Sequence, residues 1–234
     1  MRKLLIITGG SQGIGKATIG KFVAEGWEAI NLSRKPCEIE DITNIKINFM
    51  SGDWQNQCLS QLQQTCQTAD KVALVHNAAA CQLDTIQTVT EKNLTDMLHL
   101  NTVIPAVLTQ ALLSCMPKHS SVIYIGSTLA EKAVPGCLSY ITSKHAVAGL
   151  MKATCQDLAG TDIYTCCICP GITDTDMLRE RCGHDENILK MLCDINASKR
   201  LIQPEEIANV IYFAANHAVI NGSVIHAHLG QIEK

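Results

Sequence analysis

The chain is poor in aromatic side chains and in charge, and each shortage removes a class of function. Trp, Tyr and Phe number 2, 4 and 3 in 234 residues, and 19 Lys and Arg against 22 Asp and Glu leave a net charge of −3. A nucleic-acid partner, which needs basic surface and often stacking rings, is therefore not expected. Charged residues make up 18% and hydrophobic ones 47%, a balance that excludes a disordered chain. Long apolar runs are missing too. The uncharged stretch 97–117 is interrupted by Asn101, Thr102, Pro105, Thr109, Gln110 and Ser114, short of the ~18 consecutive apolar residues of a membrane span. Met1 leads through RKLLII straight into TGG, with no apolar segment long enough for a signal peptide, so a reducing, cytoplasmic location is expected. No polar linker, repeat or low-complexity tract divides the sequence, and a single domain over 1–234 is expected.

Cysteine, by contrast, is abundant, with twelve residues. In a reducing compartment these are free thiols. Cys166, Cys167 and Cys169 crowd the run IYTCCIC, which reads as a buried strand. Its alternate side chains face opposite sides and cannot converge on one ion, so no metal is expected.

Short β-branched runs alternate with longer helical patterns, predicting βαβ units in an α/β fold: a doubly wound parallel sheet of about seven strands with helices on both faces. Strands are expected near 3–8, 27–32, 45–49, 71–75, 120–126, 162–168 and 223–227. Helices are expected near 13–26, 54–67, 88–117 with a break around Asn101 to Pro105, 139–159 and 204–216. The polar, mixed stretch 174–200, which contains Gly183, is expected to be a mobile lid.

Thr8-Gly9-Gly10-Ser11-Gln12-Gly13-Ile14-Gly15 follows the first strand and opens the first helix. Such a turn lets backbone approach a phosphate and aims helix N-terminal N–H groups at it. A phosphate-loop nucleoside triphosphatase would need Ser or Thr where Ala17 stands, and the G-x-G-x-x-G fingerprint fails at Thr18. The pattern T-G-x-x-x-G-x-G matches completely. Farther on, Ser139-Tyr140-Ile141-Thr142-Ser143-Lys144 puts Tyr and Lys four apart at the start of a helical stretch, on one face. An ammonium beside a phenol favours phenolate and would lower its pKa toward neutrality. Strand SVIYIG delivers Ser127 at its C-terminal end, and HLNTVIP carries Asn101.

With these four residues in this order and that turn, the chain resembles the short-chain dehydrogenase/reductase family, whose members have a Rossmann-type sheet. The resemblance spans the whole chain. It implies a catalytic set of Asn101, Ser127, Tyr140 and Lys144: Tyr140 as general acid/base, Ser127 bonding the substrate oxygen, Lys144 tuning Tyr140 and binding ribose, Asn101 breaking a helix and holding a water near Lys144. It implies cofactor contacts from Gly9, Ser11, Gln12, Gly13, Ile14 and Gly15 in the turn, from Ser33, Arg34 and Asn48, from Asn77 and Ala78, from Tyr140 and Lys144, and from Pro170, Gly171, Thr173 and Thr175 in C-P-G-I-T-D-T. The family's N-N-A-G reads His76-Asn77-Ala78-Ala79, and its terminal aspartate-glycine-glycine reads Ala227-His228-Leu229-Gly230; both depart from the pattern.

Arg34 and Lys35, with no carboxylate until Glu38, favour NADP, NAD being the alternative, because basic residues there accommodate a 2′-phosphate. The expected reaction is hydride transfer between nicotinamide and a carbonyl or secondary alcohol. A catalytically silent NADP-binding sensor is the alternative, and the intact four-residue set argues against it. Leu129, Met177, Leu178, Leu189 and Met191 are expected to make an apolar substrate pocket. The uncharged helix 97–117, an interface helix in the resembling family, implies a homodimer or homotetramer. No cysteine is assigned a catalytic part; Cys137 and Cys182 are the ones whose oxidation is expected to affect activity.

Overall fold

KLLIIT, KVALVH, SVIYI and YTCCICP are almost continuously apolar, as strands must be when helices cover both of their faces. In a computed structural model describing residues 1–232, they form the centre of one seven-stranded sheet: β1 (Lys3–Thr8), β2 (Glu28–Ser33), β3 (Thr43–Lys46), β4 (Lys71–His76), β5 (Ser121–Ile125), β6 (Tyr164–Pro170) and β7 (Val224–Ala227). All neighbours pair in parallel, in the order β3-β2-β1-β4-β5-β6-β7. The connections reverse direction between β1 and β4, and ligands of open α/β sheets bind at the C-terminal strand ends beside such a switch point.

The side chains alternate between two cores. Leu4, Ile6, Leu74, Tyr124, Cys167 and Cys169 face one layer, built from α2 (Trp54–Gln67), α4 (Ile104–Leu113) and α5 (Leu138–Asp157). Leu5, Ile7, Val75, Ile123, Cys166 and Ile168 face the other, built from α1 (Gly13–Ala24) and α8 (Pro204–Asn216). Strand geometry thus splits the cysteine cluster between opposite faces. α3 (Glu91–Leu98) precedes α4, while α6 (Asp176–Arg181) and α7 (Glu186–Cys193) lie in the segment after β6. Among the described residues no helix is long and apolar enough to cross a membrane.

Three sequence expectations are corrected. The third strand ends at Lys46 rather than 49: pairing of Ile30 with Thr43 fixes its register, and the chain then turns so that Ile47 and Phe49 enter the core. The predicted helix 88–117 starts only at Glu91, where Thr90 caps it by accepting from the Asn93 N–H at 3.1 Å. The predicted break within it is a widening: His99–Val103 form one π-helical turn, in which the Ile104 N–H bonds back to the His99 carbonyl. Pro105, lacking an N–H, cannot close an ordinary turn onto the Asn101 carbonyl.

Candidate active site

The glycine-rich turn sits at the switch point. Gly9 has φ +70°, and a Cβ there would lie 2.8 Å from the Ala78 Cα; one on Gly15 would lie 2.2 Å from the Gly9 carbonyl oxygen. No side chain caps α1 at Gln12, and its first turn holds no acidic residue. The N–H groups there remain for an anion, so the turn fits the pyrophosphate of a dinucleotide. Asn77 and Ala78 brace it: their N–H groups bond Thr8 Oγ1 at 3.0 and 2.9 Å, and Asn77 Nδ2 reaches the Gly9 carbonyl at 2.8 Å. Ser11, Gln12 and Ile14 complete the loop and the entry to α1.

At the end of β2, Ser33 is buried and accepts from Asn31 Nδ2 at 2.9 Å, while Arg34 and Lys35 are exposed. Glu38, the first carboxylate after this strand, is held by Lys16 at 2.9 Å. The Ile47 N–H bonds the Ser33 carbonyl at 2.9 Å, which brings Asn48 beside this end; the Asn48 amide oxygen accepts from the Met50 N–H at 3.1 Å. Beyond β6, Gly171 is pinned by its N–H to the Ala227 carbonyl at 2.9 Å, and the Thr173 hydroxyl bonds the Gly171 carbonyl at 3.1 Å. Thr175 caps α6 and packs against the Gly13 backbone, 3.1 Å from where a Cβ would stand. Pro170 ends β6. The predicted cofactor residues thus gather along the C-terminal edge of β1, β2, β4 and β6.

Tyr140, Ser127 and Lys144 meet at the end of β5. Ser127 follows the strand after Gly126, where a Cβ would lie 2.7 and 2.8 Å from the Cys167 and Cys169 sulfurs. The Ser127 oxygen accepts from the Leu129 N–H at 3.1 Å, leaving its own proton to donate. Lys144 is buried, donates to the Ile125 carbonyl at 2.8 Å, and lies 5.5 Å from the Tyr140 ring centroid. Burial lowers its pKa to about 8, against the neighbouring Cys167, Cys169 and Cys81. The Tyr140 pKa moves opposite to the sequence expectation. Burial pushes the phenol up, helped by Cys81 and, more weakly, by Cys137; the Ser127 hydroxyl and Arg181 pull it down without overcoming desolvation. Tyr140 is therefore held as a neutral phenol, a proton donor.

Asn101 is engaged through its side chain. Its oxygen accepts from the Ala80 N–H at 3.0 Å, and its nitrogen donates to the Ala80 carbonyl at 3.1 Å and to Ser143 Oγ at 2.9 Å. Ser143 Oγ in turn bonds the Tyr140 carbonyl at 2.7 Å. The side chain thereby clamps the N-terminal turns of α5.

Two residues escaped sequence reasoning. Asp84 is buried and caps α5 from a distant loop, accepting from the Ser139 N–H at 2.9 Å and from the Ser139 hydroxyl. Arg181 reaches from α6 to Cys137 Sγ at 2.9 Å and Cys81 Sγ at 3.4 Å. The expected apolar lining is only partly present: Leu189 is buried, whereas Met177 and Met191 are exposed at 43% and 70%. A cavity of about 660 Å³ lies off this edge, between α1, the segment after β6 and α8, and its cations Lys16, Lys21 and Arg179 are each paired with a carboxylate.

The comparisons agree with this geometry. Protein FixR of Bradyrhizobium diazoefficiens is 29% identical over 98% of this chain and 86% of its own. The ligand-free aldohexose dehydrogenase of Thermoplasma acidophilum superposes with a TM-score of 0.90 at 24% identity, over 98% of this chain and 93% of its own. ElxO with NADP bound gives 0.85 at 22% identity, over 97% and 98%. A family model described as short chain dehydrogenase matches residues 3–186; the chain belongs to this family of oxidoreductases, and its sheet is of the Rossmann type.

Proposed function

We propose that this chain is an NADP-dependent reductase of small ketones, able to run in reverse on secondary alcohols, with Tyr140 as the general acid. The observation that carries the reading is the convergence of Tyr140, Ser127 and Lys144 at one strand end beside the glycine-rich turn, with the phenol kept protonated by burial. When bound, the nicotinamide supplies or takes up hydride. The substrate oxygen accepts bonds from the Ser127 hydroxyl and the Tyr140 phenol, and Tyr140 passes its proton to that oxygen as charge develops there. Lys144, held on the Ile125 carbonyl, stands behind the phenol as the ammonium that stabilises the phenolate left after transfer. The Asn101 carbonyl, onto which Pro105 has no N–H to donate, would hold a water for reprotonation.

NADP is favoured because Arg34 and Lys35 are exposed while Lys16 occupies Glu38. The segment 174–200 acts as a lid, since its ends are stapled by the Asp174 N–H to the Ile202 carbonyl at 2.8 Å and the Ile202 N–H to the Ile172 carbonyl at 3.0 Å. A homodimer or homotetramer is proposed from exposed Val103 beside the uncharged α4, although Gln63 Nε2 bonds the Ala111 carbonyl at 2.9 Å and α2 already covers part of that helix. A reducing cytosol suits the twelve free cysteines. The deciding experiment is Tyr140→Phe. NADPH binding, followed by cofactor fluorescence, is expected to persist while carbonyl-dependent NADPH consumption falls by ~10²–10⁴. Retained turnover would overturn the assignment, and a wild type that binds NADPH but consumes none across a carbonyl panel would point to the silent sensor.

A further inference from the structure

Five arginines occur in the chain, and three are answered by carboxylates. Arg2 is forked onto Glu28 at 2.8 and 2.7 Å, Arg179 onto Asp174 at 2.6 and 2.8 Å, and Arg200 onto Glu206 at 2.6 and 2.8 Å. Among the described residues no carboxylate answers Arg34 or Arg181. Arg34 has its proposed anion in the cofactor's 2′-phosphate. Arg181, held against Cys137 and Cys81 ahead of Tyr140, has none.

Its surroundings limit what it can receive. The guanidinium touches two sulfurs, Cys137 at 2.9 Å and Cys81 at 3.4 Å, and thiols are weak acceptors that leave its charge uncompensated. The same corner holds the Asp84 carboxylate, whose backbone pairs with Gly136 and Leu138 on either side of Cys137, but both of its oxygens are taken by Ser139. Arg181 also acts electrostatically on the Tyr140 phenol, and its partner Cys137 stands three residues before Tyr140, so the positive charge lies close to the proton donor. A planar fork with free N–H groups fits a carboxylate. A phosphate dianion would call for a second cation, and no other Lys or Arg is recorded at Cys81 or Cys137 apart from Lys144, which is committed to Ile125.

We propose that Arg181 is a specificity-determining residue that receives a substrate carboxylate, so that the preferred substrates are short keto acids reduced to hydroxy acids. The inference rests on the reductase reading above. The ketone carbon gains hydride, its oxygen gains the Tyr140 proton, and the carboxylate passes through unchanged, held by Arg181 to orient the carbonyl toward Ser127 and Tyr140.

The test pairs short 2-oxo, 3-oxo and 4-oxo acids with their own methyl esters, using NADPH and the full chain as wild type, Arg181→Ala and Arg181→Lys. For the preferred acid, wild-type kcat/KM is expected to exceed that of its ester by about tenfold to a hundredfold, the range of a charge-assisted hydrogen bond. Arg181→Ala is expected to bring that ratio near unity through KM for the acid, with Arg181→Lys between. A purely structural Arg181, stabilising the C-terminal end of α6, would leave the ratio unmoved, and that result, or a wild type preferring esters, overturns the proposal. Calorimetric titration of NADP⁺-loaded wild type and Arg181→Ala, in which no hydride is available, with 4-oxopentanoate and its methyl ester, set beside NADPH consumption on the same compounds, separates the two readings. Arg181-dependent binding of the acid without any turnover overturns the reductase reading alone. Equal binding by both proteins overturns this one.

Discussion

Replacing Asp84 by alanine probes how the catalytic helix is held. The carboxylate accepts two bonds, from the Ser139 N–H at 2.9 Å and from the Ser139 hydroxyl, and Ser139 is fully buried at 0% exposure. Bonds to a charged acceptor contribute about 1.5–3 kcal/mol each, and an anion at a helix N-terminus adds about 0.3–1 kcal/mol. Relief of the carboxylate's own desolvation offsets part of this, so a loss of about 3 kcal/mol is expected, with Asp84→Asn losing about 1–2 because it keeps one acceptor but not the charge. For a chain of this size the alanine variant's Tm should fall by about 6–12 °C. The loop itself should stay in place, because the Leu138 N–H to Asp84 carbonyl and Asp84 N–H to Gly136 carbonyl bonds, both 3.2 Å, use only backbone. Tyr140 is the residue after Ser139, so kcat should fall by at least about tenfold while NADPH affinity changes little. Urea unfolding and NADPH consumption, measured on the folded fraction, check both halves. A stability loss under about 1 kcal/mol with kcat intact would refute the view that Asp84 positions the phenol.

Arg34→Ala should weaken NADPH binding by about tenfold or more and leave NADH within about twofold; equal effects on the two cofactors would remove the argument for NADP. Folding should weaken in acid because of His76, which is buried, bonded to Thr109 Oγ1 at 2.7 Å, and lowered by desolvation to a pKa of about 3. Unfolded, it titrates near 6.5, so below that pH the unfolded chain binds a proton that the folded chain refuses; the stability present above 6.5 is lost as pH falls toward 3. The His76 share is about 2 kcal/mol at pH 5. Comparison of urea midpoints with His76→Gln isolates it, and an unchanged pH slope in that variant would contradict the account.

The sheet was legible because its central strands are apolar on both faces, a pattern that leaves few alternatives. The edge strand β3 was not: its residues Thr43, Asn44 and Lys46 are exposed, so pairing with β2, not hydrophobicity, decides where it stops. Among site residues, the turn and the Tyr140 to Lys144 spacing could be read because each lies on one short element. Asp84 could not, since it meets Ser139 across 55 positions. Spacing does not reveal Arg181 either. Asp185 follows it at the distance of a helical ion pair, yet α6 ends at Arg181 and Asp185 instead accepts the Asn187 N–H at 2.8 Å to open α7. Arg179, two residues earlier, points about 200° around the helix and takes Asp174 and Glu186. The sense of the Tyr140 shift also escaped, because spacing shows that an ammonium is near but not how much solvent both groups have lost.

The thiols explain why desolvation dominates there. Cys167 and Cys169, with sulfurs 3.8 Å apart, lie beneath Gly126 and Ser127, while Cys81 and Cys137 flank Arg181. Burial pushes Cys58 up to about 11 and Cys166 to about 12 and raises Cys81, and Cys167 shifts the same way, whereas Cys169 is lowered by its hydrogen bond with Cys167. A protonated thiol fills space, bonds weakly and carries no charge. At Lys144 burial outweighs what Cys167, Cys169 and Cys81 contribute, and its pKa falls to about 8, while Tyr140 keeps its proton. Weak sulfur acceptors likewise leave Arg181 open to a stronger partner. A carboxylate in place of either Cys81 or Cys137 would close on the guanidinium as Asp174 closes on Arg179 at 2.6 Å, and an incoming anion would have to compete with it.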